Sequence, residues 1–393
     1  MERPYGTVTV TEKGERGLRA GHPWAYDNEV TAASCADGEI CDVLSPKGKW
    51  LGAGFYNSAS RIRVRVITRN PNDRVDDAFW TRKVRWAVDY RRQVMGSDFS
   101  CCRLIFGEAD GFPGLTVDRF SNVLVSEVLS LGMERQKQAV YEALLRETGC
   151  DVLYERCDNA LRDKEGMERF SGFFHGSGDG HVLIRENGLA YDVDYVNGQK
   201  TGFFLDQKYN RAAAARLAPG RRVLDCFTHT GAFALNCAAA GAESVTAVDV
   251  SDTALASARR NAELNGLNVN FLQTDVFELL TGLLEQKSKD YDYIILDPPA
   301  FTKSTATVES AFRGYKDINY RAMRLLPRGG YLATCSCSRF MTAELFTKML
   351  RAASADAGVQ LRQIEDRRQA PDHPILWGVP ETEYLKFYLF QVI

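Results

Sequence analysis

The fold is decided by one stretch of the sequence, residues 222–266, which reads "RVLDCFTHTGAFALNCAAAGAESVTAVDVSDTALASARRNAELNG". It alternates short apolar runs with helical segments: a buried strand begins at Val223, and a second strand spans Val245–Val248. The alanine-rich helix 232–240 between them ends at a glycine, as helices commonly do. Strands separated by helices predict an α/β fold with a parallel, doubly wound sheet, as in Rossmann-like domains.

The rest of the chain predicts two further domains ahead of this one. Residues 1–70 consist of short alternating runs broken by glycine, which predict a β-rich module. Residues 71–181 follow a polar, proline-containing boundary and predict a compact α+β module. Residues 182–393 form the third domain, with further strands expected at 291–297 and 384–392.

The composition is that of an ordinary globular protein. The chain has 393 residues, of which 45% are hydrophobic and 25% charged, with a net charge of −2, so a nucleic-acid surface must be a local patch. No apolar run approaches the about 20 residues of a membrane span, and the start lacks a signal-peptide pattern. We therefore expect a cytoplasmic location and no membrane partner. Ten cysteines without zinc-like spacing predict reduced thiols and no metal.

One segment of the N-terminal domain carries alternating arginines. In "RIRVRVITR", residues 61–69, the period of two places Arg61, Arg63 and Arg65 on the face opposite the aliphatic residues. Such a stripe is either a solvated strand face or a surface that contacts RNA phosphates. Both interpretations stay open from the sequence.

Four acids follow the strands of the predicted sheet, where α/β proteins bind ligands: Asp225, Asp249, Asp275 and Asp297. The loop after the first strand has one central glycine, Gly231, and lacks the G-x-G-x-x-G pattern that cradles a pyrophosphate. This arrangement suits a nucleoside without phosphates, because Asp249 can accept hydrogen bonds from ribose hydroxyls. A cationic adenosine cofactor, S-adenosylmethionine, fits these features. The alternative is that some of these acids only cap the helices that follow them.

Several longer motifs resemble those of one enzyme family. They include "VLDCFTHTGAF", "IILDPPAF", "LLPRGGYLATCSCS", "GHPWAYDNEV" and "DGFPGLTVDR". Together they resemble the S-adenosylmethionine-dependent RNA methyltransferases of the RlmI type, which act on cytosine C5 of 23S ribosomal RNA. The resemblance runs nearly end to end and implies an N-terminal PUA domain, a central α+β domain and a Rossmann-like methyltransferase domain. It implies large-subunit rRNA as the partner and leaves a homodimer open.

The resemblance also implies which residues bind the cofactor. In "QKTGFFLDQ" it places Lys200, Phe203 and Gln207 beside the cofactor. The other residues expected there are the strand-end acids and their loop neighbours: Asp225, Phe227, Thr230, Gly231, Asp249, Asp275, Val276 and Asp297.

The "DPPAF" motif supplies the expected substrate contacts. Asp297, Pro298 and Pro299 are expected to hydrogen-bond the edge of the cytosine. Phe301 is expected to stack on the base. Lys303 is expected to contact a phosphate or to lower the pKa of a thiol, unless it is a solvated surface lysine.

Two cysteines near the end of one strand, Cys335 and Cys337 in "YLATCSCS", are the candidate nucleophiles. A thiolate that adds to cytosine C6 makes C5 nucleophilic, and related C5-methyltransferases place this cysteine directly after a Ser or Thr that ends the strand. Cys335 is the first choice by that position, and Cys337 stays open because it lies two residues further along the same side. The structural alternative is that both thiols are buried and act only as small hydrophobic side chains.

Two other functions remain open from the sequence. The D-P-P-x-F motif also resembles that of guanine N7-methyltransferases, which need no cysteine. An RNA-binding protein with an inactive methyltransferase fold is the second alternative, because the PUA-like segment alone would suffice for binding.

Overall fold

The computed structural model describes residues 4–393, and the chain divides into two compact units. The first contains the chain up to Ile184, together with Val193–Leu205 and Pro371–Thr382; the second contains Arg185–Asp192, Asp206–Ala370 and Glu383–Ile393. Residues 1–3 of the predicted N-terminal domain lie outside the described residues. The predicted boundary between residues 70 and 71 falls inside the first unit, and the three-domain division stays a prediction.

A six-stranded sheet forms the N-terminal part of the first unit. Its strands are β1 (Gly6–Val10), β2 (Trp24–Tyr26), β3 (Val30–Ala33), β4 (Ile40–Leu44), β5 (Trp50–Tyr56) and β6 (Ile62–Thr68), and helix α1 (Glu12–Arg19) follows β1. The strands are ordered β2-β6-β5-β4-β1-β3. Between β4 and β5 the Gly48 amide donates to the Ser45 carbonyl at 2.9 Å, and Gly48 has a φ of +72°. The turn therefore uses a conformation that glycine adopts without strain.

An α+β layer makes up the rest of the first unit, as the sequence predicts for the central part. Its elements are α2 (Asp77–Met95), β7 (Cys101–Phe106), β8 (Leu115–Phe120), β9 (Val123–Val128), α3 (Leu131–Thr148), β10 (Val152–Cys157) and β11 (Phe170–His175). The five strands are ordered β11-β10-β9-β8-β7. The next two strands along the chain, β12 (His181–Glu186) and β13 (Leu189–Asp194), pair as a separate two-stranded sheet.

The second unit is a seven-stranded sheet with helices on both faces. Its strands are β14 (Arg222–Cys226), β15 (Ser244–Asp249), β16 (Asn270–Gln273), β17 (Tyr293–Leu296), β18 (Tyr331–Ser336), β19 (Leu361–Arg367) and β20 (Lys386–Val392). Its helices are α4 (Lys208–Ala215), α5 (Ala232–Ala239), α6 (Asp252–Leu264), α7 (Val276–Glu285), α8 (Val308–Leu325) and α9 (Ala343–Ala357). Among residues 4–393, no helix is long and apolar enough to cross a membrane.

The strand order of this sheet is β16-β15-β14-β17-β18-β20-β19. The first five strands in that order are parallel, as the alternating pattern predicts. β20 lies antiparallel to both β18 and β19, which differs from a wholly parallel sheet. The reason is that no helical crossover joins β19 to β20, and antiparallel neighbours need none.

Alternate residues of the central strands face opposite layers of helices. Leu224 and Leu332 belong to a core that also contains Tyr315 of α8 and Phe346 of α9. Val223, Ala333 and Cys335 belong to a second core that contains residues of α4 and α5. A sheet buried on both faces explains why its strands read as continuous apolar runs.

Candidate active site

The candidate site lies at the carboxyl ends of the parallel strands. β14 and β17 are neighbours, but the chain continues from β14 to β15 on one side and from β17 to β18 on the other. Open α/β sheets bind ligands at such a switch point. In-register pairing of Cys226 with Leu296 and of Leu296 with Thr334 brings the three strand ends level. Asp297 and Cys335 therefore follow from neighbouring strands at the same edge.

Asp225 organises the loop that follows β14. Its Oδ2 accepts hydrogen bonds from the Thr228 hydroxyl (2.6 Å) and the Ala234 amide (3.0 Å). In that loop Phe227 and His229 have φ values of 64° and 51°, a strained conformation for residues with a side chain. Burial raises the pKa of the Asp225 carboxyl to about 7. Its Oδ1 is buried and has no hydrogen-bond partner within the described part of the chain.

Gly231 allows the same loop to turn tightly into α5. Its φ is +84°, and a Cβ at this position would lie 3.1 Å from the Cβ of Ala258. The carbonyl of neighbouring Thr230 accepts a hydrogen bond from the Asn261 amide group at 3.1 Å, which fixes the loop to α6. A residue with a side chain at 231 would push the loop outward, so glycine is required here.

Asp249 ends β15 and faces the same loop. Its two carboxylate oxygens accept one backbone hydrogen bond each, from the His229 amide and the Ser251 amide, both at 2.9 Å. The side chain is half-buried. Each carboxylate oxygen can accept a second hydrogen bond, so the carboxylate is positioned to accept from a diol.

Asp275 and Val276, both expected to bind the cofactor, lie at the start of α7. Asp275 caps α7, because its Oδ1 accepts from the amides of Phe277 and Glu278 at 2.8 and 3.1 Å. The alternative that some of these acids are helix caps therefore holds for Asp275, whose part in cofactor binding stays a prediction. Val276, the first residue of α7, is buried in the core, and its part in cofactor binding stays a prediction as well. Phe277 is only partly buried.

These features fit an S-adenosylmethionine site. The unbonded buried Oδ1 of Asp225, the glycine at 231 and the two-oxygen acceptor Asp249 supply polar acceptors and room at one edge. A nucleoside with a cationic sulfonium needs acceptors rather than a phosphate cradle. The hydrogen-bond acceptors at this edge match that requirement.

Asp297 follows β17 and forms a hydrogen-bonded group with Gln207 and Cys335. The Gln207 amide nitrogen donates to Asp297 Oδ1 at 3.0 Å, and Asn210 donates to the Gln207 amide oxygen at 2.7 Å. Cys335 hydrogen-bonds both Gln207 and Asp297. Burial, assisted by the nearby Asp206 carboxylate, raises the pKa of Asp297 to about 6.

The two candidate nucleophiles have different environments. Cys335 is fully buried in the core against α4 and α5, and burial raises its thiol pKa well above the ordinary value. Cys337 lies one residue beyond the end of β18 and is half-buried. The neighbouring Ser338 hydroxyl donates to the Thr302 carbonyl at 2.8 Å, which ties this segment to the loop after Asp297. Cys337 is therefore the more accessible thiol.

The remaining residues of the "DPPAF" loop are divided between core and surface. Phe301 packs with its ring centre 4.5 Å from that of Tyr315, so its outer surface only partly faces solvent. Pro298 is buried, whereas Pro299 and Lys303 are exposed. Their expected contacts with base and phosphate stay predictions.

Two expected cofactor residues belong to the first unit. Lys200 is exposed, has a φ of 52°, and holds its ammonium 4.6 Å from the ring centre of Phe204. Phe203 is buried. The segment that carries them is fixed within the first unit by the Thr201 hydroxyl, which donates to Asp118.

The expected arginine stripe is corrected at Arg65. This side chain is buried and forms salt bridges with Glu108 (3.2 Å) and Glu165 (3.0 Å), so it neither faces solvent nor reaches a phosphate. The sequence could not reveal this, because the partners lie 43 and 100 residues away. Arg63 is half-buried and Arg61 is exposed, which leaves their RNA contacts as predictions.

Three polar residues of the site were missed by sequence analysis: Asn210, Ser338 and Lys386. Lys386 is buried, and its ammonium donates to the carbonyls of Ser338 and Tyr384 at 2.5 and 2.6 Å. A charged residue inside the apolar strand "YLKFYLF" was the available signal for it, since such residues are seldom buried without a reason.

Comparisons with known proteins agree with this arrangement. A family model described as an S-adenosylmethionine-dependent methyltransferase matches residues 156–389, and a PUA-like domain model matches residues 8–69. A structure from Streptococcus mutans assigned to the SAM-dependent methyltransferases superposes with a TM-score of 0.84 at 21% identity, covering 98% of this chain and 99% of that one. A second methyltransferase structure, solved with SAH, has a TM-score of 0.85 at 21% identity and the same coverage.

Curated relatives are closer in sequence. "Ribosomal RNA large subunit methyltransferase I" of Escherichia coli O1:K1 / APEC is 42% identical over 392 residues, covering 98% of this chain and 99% of the relative. The protein of the same name from Shigella boydii serotype 18 is 41% identical with the same coverage. With these matches over almost the whole chain, the protein belongs to the S-adenosylmethionine-dependent methyltransferase family of ribosomal RNA large subunit methyltransferase I, with a PUA-like domain at its N-terminus.

Proposed function

We propose that this protein makes 5-methylcytosine in large-subunit ribosomal RNA, in the cytoplasm, through a covalent bond between Cys337 and the base. The substrate class follows the names of its relatives. The observation that carries the mechanism is the accessibility of Cys337 at the same sheet edge as the cofactor loops. Cys335 is the first choice by its position in the sequence, but its full burial favours Cys337, the more accessible thiol.

The thiolate of Cys337 starts the reaction by forming a bond to C6 of the cytosine. Electron density from the C5–C6 double bond moves to C5, which becomes able to take a methyl group. When bound, S-adenosylmethionine supplies that methyl group as an electrophile on its sulfonium. A base then takes the C5 proton, the electron pair of the C5–H bond restores the C5–C6 double bond, and the electron pair of the S–C6 bond returns to sulfur as the thiolate leaves.

Asp297 has the properties needed to stabilise the base during addition. Negative charge develops at N3 of the cytosine when the thiolate adds to C6. The pKa of Asp297, raised to about 6, leaves part of its carboxyl protonated near neutral pH, so the group donates a hydrogen bond to N3. Gln207 fixes the carboxyl orientation through Oδ1.

The target base has to leave the folded RNA to reach this edge. Arg61 and Arg63 of the PUA-like domain remain the proposed backbone contacts, since the side chain of Arg61 is exposed and that of Arg63 is half-buried. Exposed Pro299 and Lys303 offer further contact surface after β17.

Substitution of each cysteine in turn tests the proposal. With ribosomal RNA from cells that lack the gene, Cys337→Ser should lower methyl transfer at least about a thousandfold, whereas Cys335→Ser should retain activity within about tenfold. Mass spectrometry of the RNA should place the methyl group on cytosine C5. RNA containing 5-fluorocytosine should form a covalent complex with the parent protein and with Cys335→Ser but not with Cys337→Ser.

Three outcomes would contradict the proposal. Loss of activity in Cys335→Ser but not in Cys337→Ser would return the role to the buried thiol. Full activity of both variants with a methylated guanine would indicate the N7-methyltransferase alternative. Cofactor binding by the parent protein without any RNA methylation would indicate an RNA-binding protein with an inactive fold.

A further inference from the structure

Lys386 is a buried lysine in an apolar strand. It begins β20, and only 2% of its surface is exposed. Burying an ammonium is costly unless its donors find partners. Its two hydrogen bonds go to neutral backbone carbonyls, those of Ser338 and Tyr384, rather than to a carboxylate. Such a position keeps a positive charge inside the site without neutralising it.

The sheet register places this charge around Cys337. In the antiparallel pairing of β18 with β20, Lys386 lies opposite Ser336, the residue before Cys337. Its ammonium then bonds the carbonyl of Ser338, the residue after Cys337, at 2.5 Å. An ammonium has three donors, and two are used by these carbonyls. The third is left for a group in the site.

The charges around Lys386 are consistent with a cation that interacts with the Cys337 thiolate. Burial, together with the nearby Arg368 guanidinium, lowers the pKa of Lys386 to about 8. The thiolate of Cys337 and the carboxylate of Glu383 act in the opposite direction. With a pKa of about 8, most of the Lys386 side chain is charged at neutral pH.

We propose that Lys386 is a positioning residue that stabilises the thiolate form of Cys337 and holds the segment carrying it. A thiolate beside a lysine ammonium forms at lower pH than a free thiol, because the charge favours the ionised form. The hydrogen bond to the Ser338 carbonyl also fixes the backbone directly after Cys337. This inference rests on the proposed function only in giving Cys337 the part of nucleophile.

The thiol pKa is measurable without RNA. The rate at which iodoacetamide alkylates each cysteine is followed against pH, and tryptic digestion yields residues 329–339 as one peptide, in which fragment masses separate Cys335 from Cys337. Buried Cys335 serves as the internal reference. Lys386→Met should raise the midpoint for Cys337 by about one pH unit and lower methylation at pH 7 about tenfold. The rate relative to that of the parent protein should return in part at higher pH.

Matched variants separate charge from structure. Lys386→Arg keeps the charge and should leave the midpoint near that of the parent protein. Lys316→Met removes a lysine that pairs with Asp356 on the surface, and it should leave the alkylation midpoint of Cys337 unchanged. Retained S-adenosylmethionine binding shows that each variant is folded.

Two results would overturn the inference. One is a Lys386→Met profile that superposes on the parent profile. The other needs no variant: a midpoint for Cys337 in the parent protein at or above about 8.5, the value of free cysteine, would show that no cation favours its thiolate. The Cys337→Ser methylation assay remains separate, because retained activity there removes the nucleophile role and leaves the thiol pKa measurement valid.

Discussion

Buried charges are handled differently at two places, one in each unit: around Arg65, and at the sheet edge of Asp225 and Asp297. In the first unit, Arg65 lies between the carboxylates of Glu108 and Glu165. In the second, the hydrogen bonds of Asp225 and Asp297 come from neutral donors, and burial raises both pKa values. A buried charge surrounded by opposite charges is costly to leave unpaired, whereas carboxyls with raised pKa values at a sheet edge are typical of sites that bind or react. The ion pairs of Arg65 therefore indicate a structural role, as does the buried pair of Arg211 and Glu186 in the second unit, and the raised pKa values of Asp225 and Asp297 indicate a functional one.

The largest expected effect is on stability, and it comes from breaking the salt bridges of Arg65. Arg65→Met leaves two carboxylates buried without their cation and should destabilise the first unit by about 3–5 kcal/mol. All five tryptophans, Trp24, Trp50, Trp80, Trp86 and Trp377, belong to this unit, so urea unfolding followed by tryptophan fluorescence reports on it selectively.

Arg63→Met is the matched control for this change. Arg63 lies two residues away on the same strand, and its guanidinium is 3.5 Å from the Asn57 carbonyl. Arg63→Met should change the free energy of unfolding by no more than about 0.5 kcal/mol. Equal destabilisation by both substitutions would mean that the salt bridges of Arg65 contribute no more to stability than the contacts of Arg63. Weaker RNA binding by Arg63→Met alone would support the remaining part of the arginine stripe.

A smaller effect, on activity, is expected from Asp297. Asp297→Asn keeps an oxygen for the Gln207 donor but cannot give a proton to N3, and should lower methyl transfer about a hundredfold, or about 2.7 kcal/mol. The reaction needs both the acid form of Asp297 and the thiolate of Cys337, so the parent rate should rise with pH up to about 6, the raised pKa of Asp297, and then level off. In Asp297→Asn the rate should go on rising with the thiolate fraction above pH 6. Single-turnover rates between pH 5 and 8 measure this. The same levelling near pH 6 in Asp297→Asn would assign it to another group.

The sequence predicts this sheet edge better than it predicts the chemistry within it. The acids at 225, 249 and 297 and the glycine at 231 follow from local periodicity, because parallel strands end at one edge whatever packs around them. Neither the burial of Cys335 nor the accessibility of Cys337 is local. Both depend on where β18 ends and on the helices that cover it. Lys386 comes next to the segment that carries Cys337 only through the antiparallel pairing of β18 with β20, which the alternating pattern does not predict.

The smallest effect concerns stability and pH. The pKa of Asp225 is raised to about 7 in the folded protein, so the folded state holds a proton that the unfolded chain loses near pH 4. Folding is therefore most favoured below that pH, and this contribution is lost as pH rises from about 4 to about 7. Asp225→Asn stays neutral and should lose less stability between pH 5 and pH 8, by on the order of 1–2 kcal/mol. Tryptophan fluorescence does not report on the second unit, so hydrogen exchange of β14 and β17 amides is the suitable measurement. An equal loss in both proteins would show that Asp225 is ionised throughout, and the contrast between paired and unpaired buried charges would then rest on Asp297 alone.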